Sequence, residues 1–411
     1  MNVLFIHQNF PGQFKNLSVD LVQKGHEVVA MHMASTSQAE WNGVKLRSYS
    51  PNRSSTKTIH PLLQDFEAKI IRGDSCLFAA QKLKEDGFSP DVIISHPGWG
   101  ESMFLKHVWP MAKLGIYCEF FYLQHGTDFD FDPEFLITET SEFCKLQLKN
   151  LTNLIHFEIA DLGISPTKWQ ASTFPLPFRD KITVIHDGID TDFLIPNNNL
   201  HIKLDDGTKL NKDSEVITFV NRNLEPCRGF HTFMRSIPNL LDLRPNAHIF
   251  IIGGDDISYG MKPKNYGSWR AKYLEEISND LTIDMHKRLH FVGTLPYKSY
   301  MQLLQISTCH VYLTYPFVLS WSLLESMSLG CSIVASNTKP LHEIITNGKN
   351  GILVDFFDVQ ALASEINELL NNKTRRDELA VNARSFVVEN FDLKRVCLPK
   401  QLDWIRKLKS I

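Results

Sequence analysis

Short apolar runs alternate with helix-length stretches along this chain, and the alternation runs through twice. The first series has NVLFIH (2–7), EVVAMH (27–32), DVIIS (91–95), GIYCEFF (115–121), ADLGISP (160–166) and ITVIHDGID (182–190), with helical stretches near 13–24, 61–85 and 139–158. Runs that stay apolar without alternating are strands buried on both faces, and such strands pair in parallel through crossover helices. The pattern predicts a doubly wound parallel α/β sheet. It then restarts with EVITFVNR (215–222), AHIFIIGG (247–254), RLHFVG (288–293), HVYLTY (310–315), CSIVAS (331–336) and GILVD (351–355). Between the two series, IPNNNLHIKLDDGTKLNKDSE (195–215) is polar and aperiodic, so 191–214 reads as a linker between a first Rossmann-like domain (1–190) and a second (215–389). Ligands of such sheets bind outside the carboxyl ends of the strands, so two facing halves imply one interdomain cleft.

Bulk properties narrow the function. At 411 residues the chain exceeds one ordinary core. A net charge of −3 lacks the basic surplus of nucleic-acid binders, so no nucleic-acid partner is expected. Seven scattered cysteines without CxxC pairing predict reduced thiols and a cytoplasmic protein, not a disulfide frame or zinc site. No apolar run reaches membrane-spanning length, and MNVLFIHQNF reads as a first strand rather than a signal peptide.

One block concentrates the chemistry. VYLTYPFVLSWSLLESMSLGCSIVAS (311–336) reads strand, loop, helix, glycine stop, strand, with Glu325 as its one charged residue. A lone carboxylate in an apolar crossover helix is costly unless something uses it, and helix starts in such sheets are where phosphate and sugar ligands dock. No GxGxxG stands in a useful place, which counts against a nicotinamide dehydrogenase.

Four segments carry a resemblance over nearly the whole chain: LFIHQNFPGQF with KGHEV, VNRNLEPCRGF (220–230), the block around Glu325, and LHEIITNGKNGILVD (341–355). Each lies at a strand end, and in this order they resemble the retaining glycosyltransferases of family 4, with two Rossmann-like domains of GT-B type. The resemblance implies a last helix (390–411) crossing back to the first domain, and transfer of a hexose-type sugar from a nucleotide-diphosphate sugar to an acceptor hydroxyl without metal or other cofactor. In that chemistry the departing phosphate is usually described as helping to take the acceptor proton.

The resemblance also implies roles. Arg222 and Arg228 meet the diphosphate charge as it develops, with Arg228 where the family carries lysine. Gly12 lets the backbone approach the phosphate, and Glu325 grips the ribose hydroxyls. Gly254 and Leu295 border the donor. Phe317 stands where the family has a second glutamate that contacts the transferred sugar, which leaves Val318, Leu319 and Ser320 to make that contact through backbone N–H groups. On the first domain, His7, Asn9, His96, Glu119 and His125 are candidates facing a sugar, lipid-linked or small-molecule acceptor, with His96 and Glu119 nearest the reaction. Peripheral contact with the inner face of a membrane fits a lipid-linked acceptor. Asp128, Asp130 and Asp132 look like a metal-binding DxD but lie outside the donor half, and an acidic loop is the expected reading. The Phe317 replacement also raises a nucleotide-sugar-binding regulatory partner without catalysis, and a nucleotide-sugar epimerase on the same fold is a third reading.

Overall fold

The computed structural model describes residues 1–33 and 38–411. It divides into two compact units, Met1–Gly188 with Lys394–Ile411, and Ile189–Leu393.

In the first unit β1 (Asn2–Ile6), β2 (Glu27–His32), β3 (Glu40–Trp41), β4 (Val44–Ser48), β5 (Val92–Ser95), β6 (Lys113–Tyr117), β7 (Leu162–Ser165) and β8 (Ile182–Val184) form one sheet. Its order is β3-β4-β2-β1-β5-β6-β7-β8. Only the β3–β4 pair is antiparallel. Side chains alternate across the sheet: Leu4 and Ile6 join Met31 and Ile93 on one face, while Val3 and Phe5 join Ala30 and Ile94 on the other. Both faces are covered, hence the unbroken apolar runs. The β3–β4 hairpin was not expected, although its Asn42-Gly43 turn, with both residues at positive φ, is the usual two-residue hairpin connection.

The helix Leu398–Ser410 belongs to the first unit and lays Trp404, Ile405 and Leu408 on the face that carries Val3 and Phe5. All three are nearly fully buried, roughly 2 kcal/mol each by apolar area. Gly115 of β6 makes room for it, because a Cβ there would meet the Trp404 ring at 2.5 Å. The expected helix over 139–158 is two helices, Thr140–Lys149 and Leu151–Ile159. They part at Asn150, whose amide bonds both the N–H and the C=O of Tyr122. Two strands also end earlier than their apolar runs suggest: β6 stops at Tyr117, leaving Glu119 in the following loop, and β8 stops at Val184.

In the second unit β9 (Ile202–Lys203) and β10 (Lys209–Leu210) form a small hairpin. β11 (Val216–Asn223), β12 (His248–Gly254), β13 (Leu289–Gly293), β14 (Cys309–Tyr312), β15 (Ile333–Ser336) and β16 (Ile352–Val354) form a parallel sheet in the order β13-β12-β11-β14-β15-β16. The segment 191–214 is not a free linker. Leu194 and Leu210 are buried in this unit's core. Lys212 donates to the carbonyls of Ser307 and Gly330, with burial lowering its ammonium pKa, and Arg384 donates to the carbonyls of Leu194 and Thr191. Polar composition hid these anchors because each one ends on a backbone carbonyl far along the chain.

Buried histidines set the acid limit of the fold. Burial depresses His156 and His186 to about 4 and His310 to about 3, from an ordinary 6.5. The folded chain keeps these rings neutral where the unfolded chain protonates them. Their contribution is therefore complete above pH 6.5 and is lost as the pH falls toward 4, at up to about 1.4 kcal/mol per pH unit for each group. Urea midpoints are expected to be flat from pH 7.5 to 6.5 and to fall steeply below; a midpoint unchanged down to pH 5 contradicts this account.

Candidate functional site

Each sheet reverses its winding direction once. In the second unit, crossovers leave β11 toward β12 on one side and reach β14 on the other; in the first, β1 stands between β2 and β5 in the same way. No connection covers the carboxyl ends of the strands at such a reversal, and that opening is where ligands of α/β sheets bind.

At the second unit's reversal the β11–β12 register slips between Val220 and Asn223. A bulge of this kind re-aims side chains, and Arg222 within it is exposed. Among the described residues Arg222 has no hydrogen-bonding or ion-pair partner. Arg228 behaves otherwise. It is 5% exposed, and its Nη1 donates to Thr314 Oγ1 (2.9 Å) and to the Val318 carbonyl (2.8 Å). Its guanidinium lies 5.3 Å from the Phe317 ring and 5.4 Å from the Tyr259 ring, and the two rings meet edge to face. Arg228 thus braces the 314–318 loop under an aromatic cover.

That cover is held from below. Glu225, 1% exposed, accepts from the backbone N–H groups of Ser258, Tyr259 and Gly260 at 2.9 to 3.1 Å. Asn223 Nδ2 donates to Ser258 Oγ nearby. Glu325 lies half-buried in the helix Trp321–Ser328, and its two oxygens accept from Tyr297 and Tyr300, each at 2.8 Å. Both tyrosines are raised above their ordinary pKa, by burial first and then by this carboxylate. Neither tyrosine was predicted, nor were Glu225 and Tyr259. The i, i+3 spacing in YKSY and the lone charge in NLEPC were the available signals.

Ser320 caps the helix Trp321–Ser328, and its own N–H donates to Tyr312 Oη at 2.9 Å. It is therefore not the open sugar donor expected from the sequence. At Gly254 a Cβ would lie 2.5 Å from Asn223 Oδ1, the end of a side chain that would have to shift, and Leu295 packs against the core.

At the first unit's reversal, adjacent strands β1, β5 and β6 deliver His7, His96 and Glu119 beyond their carboxyl ends. His7 Nε2 is 2.8 Å from Gln13 Oε1, and Gln13 Nε2 donates to Glu119 Oε1 at 3.2 Å. His96 Nε2 is 3.4 Å from Glu119 Oε2, and the His96 ring stacks on Trp99. Burial, then the neighbouring His96, lowers His7 to about 4, so its ring is neutral near pH 7. Burial would raise the Glu119 carboxyl, but His96, His7 and Gln13 outweigh it and hold it below the ordinary value. Gly12 sits at φ +47° with a Cβ position 2.3 Å from His7 Nε2, so the His7 ring alone demands glycine there. Asn9 is exposed, and its N–H donates to His7 Nδ1.

His125 stands apart from this group, exposed and paired with Asp130. Asp130 also accepts from Gly126 N–H, and Asp132 caps the turn at Glu134, so these carboxylates order their own loop. Among the described residues no three His, Cys, Asp or Glu side chains are placed to hold a metal ion. Among the described residues no disulfide joins the cysteines. No described helix is long and apolar enough to cross a membrane.

Residues 24–194 match the profile of the glycosyl transferase family 4 group, and residues 202–386 match that of glycosyl transferases group 1. A D-inositol 3-phosphate glycosyltransferase of Corynebacterium urealyticum is 27% identical over 41% of this chain and 37% of its own length. A GDP-mannose-dependent phosphatidylinositol monomannoside mannosyltransferase of Mycolicibacterium smegmatis is 24% identical over 56% and 59%. The matches thus span less than two thirds of these relatives. Sucrose-phosphate synthase from Thermosynechococcus elongatus superposes with a TM-score of 0.74 at 14% identity, covering 100% of both chains. Anabaena Alr3699/HepE, solved with UDP-glucose, superposes at 0.67 and 16% identity, also over 100% of both. These likenesses show the GT-B fold of two Rossmann-like domains.

Glu225→Ala orphans three backbone donors. It is expected to cost about 2 to 3 kcal/mol locally and to speed amide exchange at 258–260 by at least about tenfold. Unchanged protection at those amides would show that other contacts hold the loop.

Proposed function

We propose that this chain, which belongs to glycosyltransferase family 4, moves a hexose from a nucleotide-diphosphate sugar to an acceptor hydroxyl with retention of anomeric configuration and without a metal ion. The observation that carries this reading is Arg222, an exposed cation without a partner among the described residues, aimed by a bulge at the winding reversal of the second sheet. Breaking the glycosidic bond leaves growing negative charge on the diphosphate. An arginine at that strand end stabilises the charge where it develops and does the work a metal would otherwise do. Arg228 adds positive potential from behind and shapes the loop, while Glu325, oriented by Tyr297 and Tyr300, accepts from the ribose hydroxyls. His7, His96 and Glu119 in the first unit serve the acceptor. Support for a nucleotide-hexose donor comes from Anabaena Alr3699/HepE, solved with UDP-glucose, and from the GDP-mannose dependence in the mycobacterial relative's name.

Phe317 supports a second reading, binding without turnover, because with Tyr259 it covers the buried cation. The two separate in one assay. UDP-glucose, GDP-mannose and ADP-glucose are screened by thermal shift, and release of the nucleoside diphosphate is then followed with the donor that stabilises the protein. Transfer predicts release, and Arg222→Ala is expected to lower it about 100- to 1000-fold with the melting temperature unchanged. Binding with no release in wild type favours the second reading, and release within threefold of wild type in the variant removes the assignment of Arg222.

A further inference from the structure

In the second unit a long loop, 255–268, joins β12 to the helix Trp269–Ile277. Loops of this length without secondary structure are ordinarily either functional or disordered, and this one is tied down along its middle. The buried Glu225 carboxylate accepts from the N–H groups of Ser258, Tyr259 and Gly260. Asn223 Nδ2, from the strand-end bulge that carries Arg222, donates to Ser258 Oγ at 2.7 Å. Trp269, itself buried, donates its Nε1–H to the Met261 carbonyl at 3.0 Å. Between these anchors the Tyr259 side chain is held 46% exposed.

The groups beneath that ring are closed off. Phe317 and Arg228 are 3% and 5% exposed, and Tyr259 lies against both. Among the described residues no carboxylate pairs with Arg228, so this end of the site presents an aromatic ring over a cation and no carboxylate to grip hydroxyls. The loop's own anchoring does not call for tyrosine, because Glu225 binds backbone N–H groups that almost any residue supplies. A fixed aromatic ring left half in the open offers a large contact area at little entropic cost to a ligand that packs on it.

Strand order places this ring relative to the donor. β11, which ends in the Arg222 bulge, has β12 on one flank and β14 on the other. Glu325 stands in the helix after β14, and Tyr259 in the loop after β12. In a nucleotide-diphosphate sugar the diphosphate separates the ribose from the hexose. With the ribose at Glu325 and the diphosphate at Arg222, the flank left for the hexose is that of Tyr259. Resting on the donor reading above, we propose that Tyr259 is a specificity-determining residue whose ring packs on the C–H face of the transferred hexose. The ring makes this contact and the hydroxyl does not, because a pyranose carries C–H groups on its faces and most of its hydroxyls around its rim. Glu225 is the positioning residue that fixes the loop beneath the contact.

The test uses the full chain and whichever of UDP-glucose and GDP-mannose raises its melting temperature, titrated calorimetrically beside the matching UDP or GDP. Tyr259→Ala is expected to weaken binding of the nucleotide sugar about tenfold and to leave the nucleoside diphosphate within about twofold. Tyr259→Phe, which keeps the ring, is expected to stay within about twofold of wild type for both ligands. Equal weakening of both ligands in Tyr259→Ala would show that the ring supports the diphosphate site and not the hexose, overturning the proposal. An unchanged affinity for the nucleotide sugar overturns it too, as does a loss in Tyr259→Phe as large as that in Tyr259→Ala. Should Tyr259→Ala fail to fold, Tyr259→Leu, which keeps an apolar side chain over Arg228, is expected to show the same selective loss, at least about fivefold. If wild type binds neither a nucleotide sugar nor UDP or GDP, the donor reading falls and this proposal with it. If it binds them and the variants behave otherwise than stated, the proposal falls and the donor reading stands.

Discussion

A parallel strand can be joined to its neighbour only by a crossover, and the crossover must be right-handed. To build out in both directions from one central strand, a sheet has to reverse its winding there. The organisation of each unit follows from that constraint. β1 and β11 are the central strands, and the ends of β1, β5 and β6 and of β11 and β14 open where no connecting segment crosses. Residues at those ends are surrounded by the rigid backbone of a sheet buried on both faces, yet their side chains can reach solvent. The fold produces a site before any particular side chain occupies it.

Both units fill that opening with the same division of labour. Buried polar groups make many short contacts and leave an accessible group with few. In the second unit Glu225 takes three backbone N–H groups, and Arg228 ties Thr314 to Val318. In the first, His7 and His96 stay beneath Glu119. A buried charge or amide that lost its partners would cost several kcal/mol, so these supports tolerate little movement. The rigidity passes to Tyr259 and Glu119, whose exposed parts then need no reorganisation when a ligand arrives.

Strand and helix placement was largely legible in the sequence because a two-faced apolar run of four to eight residues has few alternatives to a buried parallel strand. The order of the elements, the two Rossmann-like units and the return of the final helix followed. Errors arose where short range and long range disagree. Residues 191–214 look like a linker by composition, but Leu194 and Leu210 are core, and Lys212 ends on carbonyls of Ser307 and Gly330. The hairpin at Asn42-Gly43 has its signal in the turn alone, because its first strand is two residues long. For the candidate site, Arg222 and Glu325 stood out as charges in strand-end or apolar settings, whereas Tyr297, Tyr300 and Glu225 did not, since their partners lie far away in the chain.

The sequence by itself determined the class of fold, the family and which strand ends carry charge, because periodicity and local motifs are properties of neighbouring residues. Tertiary structure decided which of those charges are available. Arg222 and Arg228 are six residues apart and chemically alike, yet the bulge exposes the first and the loop at 314–318 with Phe317 and Tyr259 buries the second. Gly12, read as a place for phosphate, is glycine because the His7 ring fills the space beside it. Burial, hydrogen-bond direction and the resulting charge state of Glu119 depend on groups brought together from three strands, and no local pattern encodes that convergence.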